Sequence, residues 1–348
     1  MPRLEKVLYS GYIAQGEVVD EFETKFQEFI GGSGHTLSLN SGTSGLHIAL
    51  ILAGVNKGDE VISTPMTAEP TNVAIKMLGA KIRWADIDYD TGNISPESIE
   101  NNINKKTKAI LVVDYAGTSV DVDKIQKISI KYNIPVIHDA AHSLGTTFNG
   151  LKSGNHFPFT VFSFQAIKHL TTVDGGALVI QDKDLYEKAK LIRWFGLDKM
   201  RSRFENNIKI QGYKYHMNNI NATIGLVQLE TIEELINKYQ IIGEYLDDGL
   251  KNITDIEIVK QYPNTRSSYW LYTLKVDKKN EFINMMNKGG FMASEIHKRN
   301  DQHIFLNDYV AELPNLDQFY SKLVHIPCGW WVSLEDCDKM IKVIKKGW

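Results

Sequence analysis

Cysteine is nearly missing from this chain: Cys328 and Cys337 are the only two in 348 residues. Two thiols make neither a disulfide framework nor a metal-ligating cluster, so we expect reduced thiols, no metal and a cytoplasmic setting. A surplus of positive charge is missing as well. The formal net charge is −3 and no basic cluster occurs, which argues against nucleic acid or an anionic membrane as the main partner. No segment approaches the roughly 18 uninterrupted apolar residues of a membrane span, and the stretch Met1 to Ser10 lacks the apolar core of a signal peptide. Internal repeats, low-complexity tracts and Pro-rich linkers are absent. No Gly-x-Gly-x-x-Gly turn follows an early strand, which argues against a nicotinamide enzyme. What remains is 43% hydrophobic and 23% charged, ordinary for a globular enzyme with one large and one smaller domain.

The pattern along the chain alternates. Apolar runs at Leu37–Leu39, Glu60–Ser63, Lys81–Ala85, Ala109–Val113 and up to Asp139 have the length of buried strands. Helical spacing separates them, as at Glu17–Ile30, where Val18, Phe22, Phe26 and Phe29 share one face before Gly31-Gly32. This order predicts a mostly parallel sheet with right-handed crossovers. Beyond Asp182 the spacing is helical over Lys183–Phe195 and over a long helix from Asn218 through Asn237, continuing to Leu250. A half-buried strand at Ser268–Val276 and a last helix over Ser333–Lys345 complete a smaller α+β unit. The expected domains are 1–237 and 238–348.

Three features carry chemistry. Between Val161-Phe162 and Ala177–Ile180, both strand-like, stands a polar stretch with a single lysine, Lys168. A buried amine loses its charge readily and can then form a Schiff base. Upstream, the apolar run ending in His138-Asp139 places a carboxylate at the C-terminal end of a strand, where open α/β sheets bind ligands. Asn40-Ser41-Gly42-Thr43-Ser44-Gly45 precedes an apolar helix, and small residues at a helix start leave N–H groups free for an anion. A solvated loop lysine and two ordinary helix caps would be the bland account of each feature alone. An imine-forming lysine, a carboxylate for a pyridine nitrogen and a phosphate cradle together suit pyridoxal 5'-phosphate.

With these motifs in order, the chain resembles the DegT/DnrJ/EryC1/StrS family of sugar-nucleotide aminotransferases, pyridoxal-phosphate enzymes of fold type I. Further matching stretches are Ser10–Gly16, Gly58–Ile62, Asp86-Ile87-Asp88, Asp139–His142, Ser163–Lys168 and Gly212–Asn218. The resemblance implies catalytic roles for Lys168 and Asp139. It implies cofactor contacts at Gly42, Thr43, His142, Ser163, Gln165 and Lys214, the last reaching the phosphate of the neighbouring subunit in a homodimer. Arg193, His297 and His325 are candidate substrate contacts, with Arg266, Arg299 and the pair Trp330-Trp331 as further ones. Several positions depart from the family pattern: Ala68 replaces the aromatic residue that stacks on the cofactor, Lys214 replaces asparagine, His216 replaces a common arginine, Gln165 stands where histidine is frequent and Asp174 where glutamate is. Met66 or His142 could cover the ring in place of Ala68.

The implied reaction is amino transfer from L-glutamate to a nucleotide-linked 4-keto-6-deoxyhexose, giving a 4-amino-4,6-dideoxy sugar nucleotide for glycan biosynthesis. Transfer to a 3-keto sugar is the nearest alternative. The family's sugar 3-dehydratases use pyridoxamine phosphate and carry histidine at the position of Lys168. A non-catalytic regulatory member would be expected to lose Lys168 or Asp139, and both are present.

Overall fold

The computed structural model describes residues 2–348. Its main sheet has seven strands: β1 (His35–Leu39), β2 (Glu60–Ser63), β3 (Lys81–Trp84), β4 (Thr107–Val113), β5 (Val136–Asp139), β8 (Phe159–Ser163) and β9 (Gly176–Ile180). They lie in the order β1-β9-β8-β5-β4-β2-β3. Strand β9 runs antiparallel to both of its neighbours, and every other pairing in the sheet is parallel. The architecture is the mostly parallel α/β sheet that the strand–helix alternation predicts, and it agrees with the fold type I that the family resemblance implies.

Burial on both faces explains why the strands read as continuous apolar runs. Along β4, Leu111 and Val113 join a core beneath the helix Gly42–Leu52, while Ile110 and Val112 pack on the other face against Ile125 and Ile128 of the helix Val122–Tyr132. At the β8–β9 end that second face is closed by Phe22 and Phe26 of the helix Glu17–Ile30, which meet Phe162 and Phe164 edge-on.

The chain then builds an antiparallel sheet, ordered β10-β12-β13, from β10 (Ile256–Ile258), β12 (Tyr272–Val276) and β13 (Leu323–Ile326). The helices Ile232–Leu250 and Leu334–Ile344 back it through Leu246, Leu250, Cys337 and Ile341. A two-residue strand, β11 (Thr265–Arg266), pairs with the ribbon β6 (Thr147–Phe148) and β7 (Leu151–Lys152), which lies between β5 and β8. The segment leading into β12 is thereby tied to the connection between β5 and β8.

The long helix expected over 218–250 is two helices, Asn219–Leu229 and Ile232–Leu250. The break at Glu230-Thr231 contains neither Gly nor Pro. It turns the second helix so that Ile232 and Ile236 stay on the Phe22/Phe26 core while Leu246 and Leu250 reach the β12 sheet. This second helix runs through position 238, and we propose that the two packing units share it.

Candidate active site

Strand β8 ends at Ser163, β9 begins at Gly176, and the irregular loop between them carries Lys168. Phe164 and Leu170 are buried and anchor the loop. Its backbone is closed by hydrogen bonds from Phe164 N–H to Gly175 O (2.9 Å), Thr172 N–H to Phe164 O (2.9 Å) and Lys168 N–H to Gln165 O (2.9 Å). The Lys168 amine projects onto an aromatic face, with Nζ 3.8 Å from the centroid of the Trp270 indole. Burial lowers its pKa to about 8, with the Asp139 carboxylate opposing. A usable fraction of neutral amine therefore exists near neutral pH.

Asp139 closes β5, the strand beside β8. Its side chain is buried and accepts hydrogen bonds from the Thr71 hydroxyl (2.7 Å) and the Ala141 N–H (3.0 Å). Burial pushes its carboxyl upward, against the pull of Thr71, Ala141 and the Lys168 charge. A carboxylate in this position is suited to a cationic partner.

The N-terminus of the helix Gly42–Leu52 lies against the end of β8. Ser41 caps it, its hydroxyl accepting from Ser44 N–H at 3.1 Å. First-turn N–H groups such as those of Gly42 and Thr43 have no preceding turn to bond. The approach is close: a Cβ on Gly42 would stand 3.2 Å from Ser163 Cβ, and one on Gly176 would stand 2.5 Å from Gly42 N. Glycine at both positions thus brings the Ser163 hydroxyl and the helix start to one place.

Over this floor sits a group of histidines. His142, buried three residues past Asp139, stacks on Trp270 with ring centroids 3.8 Å apart and planes at 20°. Burial, then the Lys168 charge, holds its pKa well below the usual value, so the ring is neutral. Its Nδ1 faces the Ala116 N–H at 3.4 Å. The His297 ring lies parallel to it at 5.8 Å, and His297 Nε2 is buried without a protein partner. His325 is linked on both sides, Nε2 to the Tyr115 hydroxyl (2.9 Å) and Nδ1 to the Thr273 hydroxyl (3.2 Å). Burial drives its pKa down to about 3.

The other candidates fall elsewhere. The buried Arg193 guanidinium bonds Glu23 (2.5 Å) and the Ser38 carbonyl (3.1 Å), not the group around Lys168. Arg299 is tied to Asp301 and Asp317, and Arg266 to Glu244. Trp330 and Trp331 are exposed, with their rings perpendicular. Lys214 is exposed, and its carbonyl accepts from Asn40 Nδ2 (3.3 Å), two residues before Gly42. Gln165 is exposed, its Oε1 accepting from Ile167 N–H (3.2 Å). His216 packs edge-on against Trp194. Met66 is buried, and Ala68 caps the helix Glu69–Met77 without a side-chain bond. Three site residues escaped the sequence reading: Trp270, Thr71 and Tyr115. The alternation at Ser268–Val276 marked Trp270 only as part of a strand. Among the described residues no group of His, Cys, Asp and Glu is arranged to hold a metal ion, and no helix is long and apolar enough to cross a membrane.

The fold brings Lys168 and the strand-end Asp139 within electrostatic reach of each other, and residues 1–345 match the model of the DegT/DnrJ/EryC1/StrS aminotransferase family. The chain belongs to that family. As a DegT/DnrJ/EryC1/StrS member it is a sugar aminotransferase. A relative in Campylobacter jejuni, a UDP-4-amino-4,6-dideoxy-N-acetyl-beta-L-altrosamine transaminase, is 32% identical over 99% of this chain and 94% of its own. The crystal structure of a sugar aminotransferase from Micromonospora echinospora superposes with a TM-score of 0.96 at 34% identity, covering 100% of this chain and 96% of that one. A Streptococcus pneumoniae protein, solved in a PMP-form and a PLP-form, has a TM-score of 0.90 at 26% identity. It covers 99% of this chain and 95% and 94% of those two chains. Cofactor-bound forms, PLP and PMP, thus occur among its solved neighbours.

Proposed function

We propose that this chain moves the amino group of L-glutamate onto the 4-keto carbon of a nucleotide-linked 4-keto-6-deoxyhexose, using pyridoxal 5'-phosphate. The product is a 4-amino-4,6-dideoxy sugar nucleotide for glycan biosynthesis. One observation carries the reading: Lys168, on the loop between β8 and β9, lies within electrostatic reach of the buried Asp139 at the end of the adjoining strand, and burial favours its neutral amine. The name of the Campylobacter jejuni relative supports C4 as the aminated carbon and UDP as the carrier.

The residues fit the cofactor. Its bound ring supplies the electron sink that amino transfer needs. Asp139 holds a proton at the ring nitrogen, and its raised carboxyl gains from a cation there. The N–H groups of Gly42 and Thr43 and the Ser163 hydroxyl bind the phosphate. His142, neutral, and Gln165 flank the ring hydroxyl. Lys168 Nζ would take the proton from the α-carbon of the donor and deliver it to the neighbouring cofactor carbon that keeps the amine. His297, with its unpartnered Nε2, is the assigned substrate contact among the candidates. His325 orients Tyr115, and Arg193 serves the fold through Glu23.

The working assembly is a homodimer in the cytoplasm, with Lys214 reaching the phosphate of the partner subunit. Apolar side chains flank the site in the open: Ile167 and Val173, on the lysine loop itself, are 62% and 57% exposed. Val173 also holds a φ of 74°, costly for a β-branched residue. A covering subunit accounts for both. Incubating the enzyme with L-glutamate and a panel of UDP-, GDP- and dTDP-linked keto sugars tests the reading by product mass. Amination of a 4-keto-6-deoxy sugar is expected, and no amination of any member overturns it.

A further inference from the structure

We infer that Trp270 is a positioning residue for Lys168: its indole face receives the ammonium that the lysine becomes after accepting a proton, and keeps it beside the reacting carbons until the proton is passed on. The inference rests on the assignment of Lys168 as the proton carrier.

The ring is fixed to the loop that it serves. Trp270 is buried, and its Nε1–H donates to the carbonyl of Ile167 (3.0 Å), the residue before the lysine. With the N–H spent there, Lys168 Nζ meets the π face, 3.8 Å from its centroid. The backbone that delivers the ring is held in an uncommon conformation. Tyr269, next to Trp270, has a φ of 46°, and its hydroxyl is clamped between Asp247 Oδ2 (2.6 Å) and Gln261 Nε2 (2.7 Å). The turn below it approaches closely. A Cβ on Gly117 (φ 98°) would stand 3.0 Å from Trp270 N, and Leu271 N–H donates to Ala116 O at 3.2 Å. Left-handed backbone at a bulky residue persists where the surroundings over-determine it, and such positions cluster at functional sites.

The charges facing the amine explain what an indole adds. They are Asp139, His142, His169 and His297. The three imidazoles are kept neutral by burial, and the only carboxylate, Asp139, is committed to Thr71, Ala141 and the ring nitrogen of the bound cofactor. A protonated Lys168 is then left without an uncommitted carboxylate of the protein. An aromatic face stabilises a cation through its quadrupole but accepts no proton, so it favours the charged amine without competing for what the amine carries. The balance is simple. The Nζ lone pair forms an N–H bond as the donor Cα–H bond breaks, the electron pair of that bond is taken up by the sink that the bound ring would supply, and the N–H bond then breaks as the same proton passes to the neighbouring carbon, so no external acid or base is consumed.

The test uses the full chain freed of cofactor, so it does not depend on the sugar substrate. Lys168 is labelled with trace acetic anhydride across a pH series, and the labelled fraction is read by mass spectrometry. Tryptophan is replaced throughout by mono-, di- and trifluorotryptophan, which weaken the π face at nearly constant shape. The labelling midpoint of Lys168 should fall stepwise with fluorine count, by about half to one pH unit overall. The same substitutions in a Trp270→Phe background should leave it in place. A midpoint indifferent to fluorine, or one that falls equally in Trp270→Phe, overturns the inference while leaving Lys168 as the proton carrier. Should a fluorinated protein fail to fold, Trp270→Phe and Trp270→Leu give the same readout. The expected midpoints fall in the order Trp, Phe, Leu, and a Leu value at or above the wild type refutes the proposal.

Discussion

Gly176, at the start of β9, stands so close to Gly42 that a Cβ on it would lie 2.5 Å from the Gly42 nitrogen, the first N–H of the helix proposed to hold the phosphate. Backbone cannot yield as a flexible side chain can. Gly176→Ala should therefore displace the helix start, at a cost of about 1–3 kcal/mol in stability, the usual range for overpacking. It should also weaken cofactor binding more than Gly42→Ala, where the nearest atom is 3.2 Å away. Denaturant midpoints and cofactor titration of the two variants check the order. Equal affinities would contradict it.

The Thr71 hydroxyl donates to Asp139 Oδ2 in a buried setting. Thr71→Val keeps the shape and removes the donor. The expected result is a further rise of the Asp139 pKa and a stability loss of about 1–3 kcal/mol. Cofactor affinity should fall severalfold, and Thr71→Ser should restore most of it. Thermal unfolding with and without pyridoxal phosphate measures both.

Lys168 links pH to the stability of the cofactor-free protein. Burial depresses its pKa from 10.5 to about 8 in the folded state. Between those two values the unfolded chain still binds the proton that the folded chain has lost, so stability gains from this group as pH rises through that window. Below about 8 both states are charged, and the cost of burying the charge is paid in full. Urea midpoints at both ends of the window should show this upward contribution, and Lys168→Met should remove it. An unchanged slope in the variant would refute the assignment.

The sheet and the Asp139–Lys168 pair were legible in the sequence because strands buried on both faces leave continuous apolar runs, and the polar residues that end them stand out. Trp270 and Thr71 were not, because they come to Lys168 and Asp139 from distant segments through packing that no local pattern records. The helices Pro2–Tyr9, Pro96–Asn102, Lys279–Lys288 and Pro314–Lys322 escaped for a different reason. They are short, and each buries only one or two residues, so few apolar positions mark them in the sequence. The family resemblance proposed Arg193 as a substrate contact, and only the fold reveals the buried Glu23 that binds it.

Lys214 offers a test of the dimer. Lys214→Ala should weaken cofactor binding roughly tenfold, as expected for one lost charge-assisted phosphate contact. If the contact is made across the two-fold interface, mixing Lys168→Ala and Lys214→Ala chains rebuilds one intact site per mixed dimer. At a cofactor concentration too low to load the Lys214→Ala homodimer, activity should then recover to about a quarter of the wild-type value after random reassortment of a symmetric dimer. No recovery would show that Lys214 acts within its own subunit, and full activity of the Lys214→Ala homodimer under these conditions would show that it has no role.

The central claim is amino transfer to C4 through Lys168, and nitrogen-labelled L-glutamate tests it most directly. With a UDP-linked 4-keto-6-deoxyhexose as acceptor, NMR of the wild-type product should place the label on C4, and Lys168→Ala should place none. A label on C3, a deoxygenated C3 without nitrogen, or labelled product from Lys168→Ala at the wild-type rate would contradict the account.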